Sequence, residues 1–279
     1  MNFKDKCPVC DFGLEKLTSF NWSDFIVIHC NKCGLDYCSS MTEKETGGNS
    51  SPVHIEGIEM MASSFHKTKK LAVKYTNSRV KIYEAYLNKK CSSILEIGCG
   101  PGVFYAPFKE KNIEWDGIDI NPYWKLFGEK NNVPISDIPL DQIDKKYDVI
   151  MAYQVLEHVE NPISFMTSIL SKLKSGGIIH LELPNQNSLN SRIRRISSLI
   201  SYDYGFVQPP MHLRAYQKMT LEYLFKSIGL QTKKVFTCSN TDEIWGQVRD
   251  YNSLQNSYYT FTGKVKLGSL LIGLAKNPL

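Results

Sequence analysis

The stretch Ile94-Leu-Glu-Ile-Gly-Cys-Gly-Pro-Gly102 constrains this chain more than any other, because an apolar strand runs straight into three glycines spaced two apart. Glycine removes the Cβ atoms that would hold a ligand away from the backbone, and it accepts angles that other residues resist. The helix that follows offers free N–H groups at its start. A dinucleotide fingerprint has its third glycine three positions after the second, whereas here it falls two after, and Glu96 precedes the loop on the strand. A carboxylate facing the loop suits a cationic amino group, such as that of a methionine moiety, better than a pyrophosphate, which it would repel.

Two further acids follow in order. About 20 residues on, Gly117-Ile-Asp-Ile120 sets Asp119 at the end of the next strand, where a carboxylate can accept both hydroxyl protons of an adenosine ribose. Asp137 comes after Ile135 and is placed to meet an adenine amino group, with Ile138 beside it. The same glycine turn in a nicotinamide enzyme is the competing reading, and binding tests with S-adenosylmethionine and NAD separate the two.

Strands and helices alternate around this loop. Ser93–Ile97, Trp115–Asp119, Tyr147–Ala152 and Gly177–Leu183 read as strands, with helices over Gly102–Lys111, Trp124–Lys130 and Ile163–Leu173. Lys218–Ile228 reads as a later helix, and Gln231–Cys238 and Ser269–Ala275 as the last strands. The rhythm predicts an α/β protein: a doubly wound, Rossmann-like, seven-stranded and mostly parallel sheet covered by helices. Residues 46–90 read as a linker and amphipathic helices, residues 91–279 as the main domain, and 185–211 as an insertion that serves as a substrate lid.

The 279 residues leave room for one appendage, and the cysteines mark it: five of eight lie at Cys7, Cys10, Cys30, Cys33 and Cys38. Cys7-x2-Cys10 and Cys30-x2-Cys33 form two knuckles that can complete one zinc tetrahedron, so residues 1–45 read as a zinc-ribbon-like module. Four thiolates leave no open position on the ion, which makes its role structural. Cys38 is spare, and the knuckle spacing disfavours it as a replacement ligand.

From about Leu71 onward the chain resembles the class I S-adenosylmethionine-dependent methyltransferases, in their small-molecule branch. Glu96-x-Gly98-x-Gly100-x-Gly102 is similar to that family's first motif, and Gln154-Val-Leu-Glu-His-Val-Glu-Asn-Pro162 resembles its "LEHV-x-x-P" stretch. Leu173-Lys-Ser-Gly-Gly177 resembles the turn before its fifth strand. The resemblance implies a cofactor site made by Glu96, Gly98, Gly100 and Gly102, with Asp119 on the ribose, Asp137 and Ile138 near adenine, and Gln154 beside the methionine end. It also implies an enzyme that methylates a small metabolite, such as a sugar or natural-product intermediate, most readily at oxygen.

Methylating a hydroxyl releases a proton, and histidine is a suitable acceptor for it. His158 lies just after the fourth strand at the carboxyl edge of the sheet, where a helix-start role competes with catalysis. His212, in Pro209-Pro-Met-His-Leu-Arg-Ala-Tyr216, resembles the family's "H-x-x-x-[FY]" return to the site. His66 reads as solvated, and His180 as core or surface. Arg192, Arg194 and Arg195 can clamp an anionic substrate or form a solvated face, and Tyr202, Tyr204 and Phe206 can stack on a ring or pack the lid.

A net charge of +5 permits an anionic small-molecule acceptor without requiring nucleic acid, and the amino-terminal module carries few basic residues for gripping phosphates. An RNA methyltransferase with a zinc knuckle is therefore the first rival, and a non-catalytic zinc-dependent binding protein on the same scaffold the second. No apolar run marks export or a membrane span, so the cytoplasm is expected. Oligomeric state is not legible.

Overall fold

Near-continuous apolar runs commit the central strands to two buried faces, and these faces organise the protein. It is described here by a computed structural model covering residues 6–13, 17–22, 25–38, 52–196, 204–209, 211–247 and 251–278. The expected linker over 46–51 and Tyr202 lie outside the described residues.

Five strands run parallel: β4 (Ser93–Ile97), β5 (Glu114–Ile118), β6 (Ile135–Ser136), β7 (Tyr147–Tyr153) and β8 (Leu173–Pro184). The last two, β10 (Gln231–Cys238) and β11 (Leu270–Lys276), join antiparallel, giving seven strands in the order β10-β11-β8-β7-β4-β5-β6. The reversal of order beside β4 is where ligands bind in open sheets of this kind. Both faces of the parallel strands are covered, as parallel sheets require.

One face carries Ile94, Val149, Met151, Ile178, Ile272 and Leu274. It packs against α1 (Pro52–Leu87), α2 (Tyr105–Lys109) and α3 (Pro122–Asn131) through Tyr83, Phe108 and Trp124. The segment expected to give one or two helices is a single helix of 36 residues. The opposite face carries Leu95, Ile97, Ile150, Ala152, Ile179 and Leu181 and meets α4 (Pro162–Ser171) and α6 (Lys218–Ser227). Helix starts follow local chemistry: Asn121 and Asn161 each precede a proline and accept a hydrogen bond from a first-turn N–H, of Tyr123 and Ser164 respectively. A capping box between Gln217 and Thr220 starts α6.

The amino-terminal module consists of β1 (Leu17–Trp22), β2 (Phe25–Cys30) and β3 (Asp36–Cys38), all antiparallel. Its sheet gains a fourth strand, β9 (Arg214–Ala215), from beyond the insertion. The insertion itself carries α5 (Leu189–Ile196). The module is therefore welded to the α6 side of the main sheet: Thr220 Oγ1 donates to Cys33 O at 2.7 Å, and Cys7, Cys30 and Cys33 share a core with Tyr216, Leu221 and Leu224. The remaining helix, α7 (Ser253–Lys264), had no sequence expectation. Among the described residues no helix is long and apolar enough to cross a membrane.

Candidate functional site

The loop between β4 and α2 takes the form that its glycines allow. Gly98, Gly100 and Gly102 all have positive φ, at 67°, 51° and 66°. A Cβ on Gly98 would stand 2.5 Å from Val155 Cγ2, and one on Gly102 would stand 2.6 Å from Val133 Cγ1, whereas one on Gly100 would meet nothing nearer than Trp124 at 3.9 Å. Two of the glycines thus answer to packing, and the middle one keeps backbone open to a ligand.

Asp119 follows β5 directly, and its carboxylate is stitched to this loop. Oδ2 accepts the Gly100 N–H and Oδ1 the Asn121 N–H, each at 2.9 Å. Its own N–H donates to Ser136 O, which brings the end of β6 alongside. Asp137, the next residue, is ion-paired with Lys125 at 2.9 Å, and Ile138 is 42% exposed beside it. The hydrogen bond from Lys125 holds the Asp137 carboxyl below its ordinary range. The ribose and adenine candidates are therefore neighbours at the β5–β6 end of the loop.

A cavity of about 600 Å³ opens against the loop, and Asp119, Asp137 and Ile138 are not among the residues that line it. Glu96, Gly98, Gly100, Gln154, Tyr153, Arg79 and Glu182 line its floor and walls, α1 covers it with Met60, Ser64 and Thr68, and α7 closes it with Gln255 and Tyr259. Glu96 is buried and accepts a 2.8 Å hydrogen bond from Trp115 Nε1, and burial pushes its carboxyl up to about 8. A buried carboxyl with such a shift is set to receive a cation. Gln154 has a positive φ of 54°, an uncommon conformation for a residue with a side chain, and its N–H donates to Glu182 O at 2.8 Å.

The candidate histidines come together, but not in this cavity. The rings of His158 and His212 meet edge to face at 4.9 Å, and His158 Nδ1 donates to Met211 O at 2.7 Å. With Glu157 they present one donor atom each within 4.8 Å. Burial pushes the Glu157 carboxyl up to about 8 and the His212 imidazole down to about 3. Neither imidazole is among the residues that line the cavity. His66 is exposed on α1, and His180 is fully buried with Nδ1 2.7 Å from the hydroxyls of both Tyr83 and Tyr153. Arg195 reaches Gln186 O and the Asp36 carboxylate, Arg192 donates to Asn187 O, and Arg194 lies over the Phe206 ring, so the insertion uses its own arginines.

Four sulfurs gather in the amino-terminal module: Cys7, Cys10, Cys30 and Cys33 all lie within 4.8 Å of one another. Cys7 Sγ is 3.5 Å from Cys33 Sγ, and Cys10 Sγ is 3.4 Å from Cys30 Sγ. A zinc–sulfur bond of about 2.3 Å gives a tetrahedron with edges of about 3.8 Å, close to these separations. Cys38 is buried in β3 outside the cluster.

Arg79, Tyr153 and Glu182 were not among the sequence candidates. Arg79 is one cation among many on a lysine-rich helix, with nothing in its spacing to single it out. Glu182 did leave a signal, since an acid inside the apolar run of β8 is out of place unless it has a task.

Residues 68–235 match the sequence profile of a methyltransferase domain family. The ubiquinone biosynthesis O-methyltransferase of Rickettsia typhi is 26% identical over 223 residues, covering 74% of this chain and 85% of that protein. Its counterpart in Rickettsia felis is 31% identical over 114 residues, covering 38% of this chain and 47% of that one. Among solved structures, the plantazolicin methyltransferase BpumL in complex with SAH superposes with a TM-score of 0.57 at 20% identity, covering 82% of this chain and 92% of that one, which is a likeness of fold.

Proposed function

This chain belongs to the methyltransferase domain family, as an S-adenosylmethionine-dependent enzyme, and from that premise we propose that it O-methylates a small metabolite. The observation that carries the proposal is the cavity running from the open Gly100 backbone, past the buried Glu96, to a wall of aromatic and charged side chains. S-adenosylmethionine supplies an activated methyl group when bound. The chain's task is then to align an acceptor with that methyl and to exclude water.

In this reading Glu96 receives the ammonium of the methionine moiety, and the loop of Gly98, Gly100 and Gly102 admits the cofactor at the open Gly100 backbone. Asp119 takes the ribose hydroxyls, Asp137 and Ile138 border the adenine, and Gln154 borders the methionine end. The names of the Rickettsia relatives favour a hydroxylated ring as acceptor, in keeping with Tyr153, Phe104, Tyr251 and Tyr259 around the cavity. A sugar hydroxyl is the other acceptor of the same chemistry, and an anionic substituent on either would find Arg79 and Lys67 in the lining. The pair His158 and His212, backed by Glu157, is one candidate for taking the acceptor's proton; its support is the convergence of three titratable groups, although they stand outside the cavity lining.

We further propose that Cys7, Cys10, Cys30 and Cys33 hold one zinc ion, on the strength of their sulfur separations. With an ion bound, the four cysteines would fix the turn whose Cys33 carbonyl receives Thr220, and through it the start of α6. Residues 1–45 then serve as a structural module, and 185–211 as the acceptor-side lid. Calorimetric titration with S-adenosylhomocysteine and, separately, with NADH tests the central reading. Binding of the first alone is expected, and binding of the second alone overturns it.

A further inference from the structure

The proton released by a hydroxyl acceptor needs a destination inside the cavity, and β8 brings a carboxylate there. Tyr153 pairs with Glu182 across the β7–β8 ladder, and β7 lies between β8 and β4. The register sets Glu182 level with the start of the glycine loop, about 10 Å across two strand spacings. Its side chain alternates to the α1 face with Ile178 and His180, the same face on which β4 presents Glu96. Glu96 thus lies beside the glycine loop, and Glu182 faces the same cavity from two strands away.

The surroundings of Glu182 separate it from the other candidates. Its side chain is 5% exposed and lines the cavity, and it is ion-paired with Arg79 Nη2 at 3.7 Å. Arg79 is fixed by the carbonyls of Ile244 and Gly246, at 2.9 Å and 3.1 Å, so its position does not depend on Glu182. Glu96 is engaged by Trp115. Tyr153 has its hydroxyl 2.7 Å from the Nδ1 of His180, an imidazole that burial and Arg79 keep neutral.

Resting on the methyltransferase reading above, we propose that Glu182 is the catalytic base of the acceptor site, taking the proton from the acceptor hydroxyl as its oxygen is methylated. The oxygen lone pair forms the new bond to the methyl carbon. The carbon–sulfur bond breaks with its electron pair staying on sulfur, the proton passes to a Glu182 carboxylate oxygen, and solvent removes it after product leaves. Burial outweighs Arg79 and raises the Glu182 carboxyl to about 7, which suits a base working near neutrality. The titratable groups facing it are Arg79 and Tyr75 from α1, Tyr153 from β7, Glu157 from the turn after β7, and Cys238 from β10.

The test uses the full chain with radiolabelled S-adenosylmethionine and 3,4-dihydroxybenzoate as the acceptor probe. Glu182→Gln should lower kcat about 100-fold while cofactor affinity stays within about twofold. The acidic limb of the wild-type rate profile near pH 7 should disappear with it. Glu182→Asp keeps a carboxylate one methylene short; it should retain that limb at a reduced rate, and it carries the test should the glutamine variant not fold. A rate and limb that survive in Glu182→Gln overturn the proposal, as does loss of the limb in His212→Gln alone, which moves the base to the histidine pair. Wild-type protein that binds S-adenosylmethionine but leaves the probe unmethylated overturns the hydroxyaromatic acceptor and the base assigned to it. Failure to bind S-adenosylmethionine overturns the enzyme reading instead.

Discussion

Replacing Gly98 by alanine tests the loop on which the cofactor site depends, and the structure divides the expected cost into two parts. The first is conformational: with φ at 67° a Cβ is crowded by its own carbonyl, at roughly 1–2 kcal/mol. The second is a collision, because that Cβ would stand 2.5 Å from Val155 Cγ2. Val155 directly follows Gln154, whose backbone is tied to Glu182, so it yields only by shifting part of the cavity wall. Overpacking of this kind costs about 1–3 kcal/mol. Gly98→Ala should therefore lose about 2–5 kcal/mol in urea unfolding and weaken S-adenosylhomocysteine at least about tenfold, or about 1.4 kcal/mol, by calorimetry. Val155→Ala removes the collision alone. In that background the cost of Gly98→Ala should shrink to the conformational part, roughly 1–2 kcal/mol. A Gly98→Ala protein as stable and as tight as wild type would refute the reasoning, and so would a cost that Val155→Ala leaves unchanged.

Other expectations follow from neighbouring groups. Asp119→Ala removes the acceptor of two loop N–H groups along with the ribose contact, and should weaken S-adenosylhomocysteine about tenfold or more; an unchanged titration would remove Asp119 from the ribose. Stripping metal with a chelator, or Cys30→Ser, should release one zinc per chain by atomic absorption. It should also lower the unfolding midpoint by roughly 3 °C or more, as about 2 kcal/mol does in a chain of this size; protein isolated metal-free with an unchanged midpoint rejects the zinc site. Burial raises the Glu96 carboxyl from 4.5 to about 8, so the folded, ligand-free chain holds a proton that the unfolded chain has released. Its contribution to stability is complete below pH 4.5 and is lost as pH rises through 8. An arriving ammonium expels that proton. Binding of S-adenosylhomocysteine at pH 7 should then release protons, measured in buffers of different ionisation enthalpy, and proton uptake or no exchange would show that Glu96 does not meet the cation.

Much of the main sheet was legible because its information is local. The expected strand over Gln231–Cys238 is β10, and those expected around Ser93, Trp115, Tyr147, Gly177 and Ser269 are β4, β5, β7, β8 and β11, with ends shifted by up to four residues. The helix expected over Gly102–Lys111 shortens to Tyr105–Lys109, since the left-handed Gly102 cannot begin it. Leu173 reads as the tail of a helix in sequence but begins β8, because pairing with Tyr147 outweighs its helix propensity. Helix α7 is polar and weakly patterned, and it is defined by a capping box at Asn252 together with the cavity it closes.

What the sequence settles by itself is what neighbours in the chain decide: glycines at two-residue spacing, the acid before them, the carboxylate after the next strand, and paired cysteines two residues apart. These patterns name a family and a zinc-ready knuckle because the chemistry they support needs those residues at those intervals. The tertiary structure alone decided which side of the sheet each charge occupies. Glu182 reaches the cavity from β8 and Arg79 from α1, 103 positions apart by their numbering, while His158 and His212 gather beyond Gln154. Strand order, helix rotation and the cost of burying each charge set those placements, and none of the three is a property of a short stretch of chain.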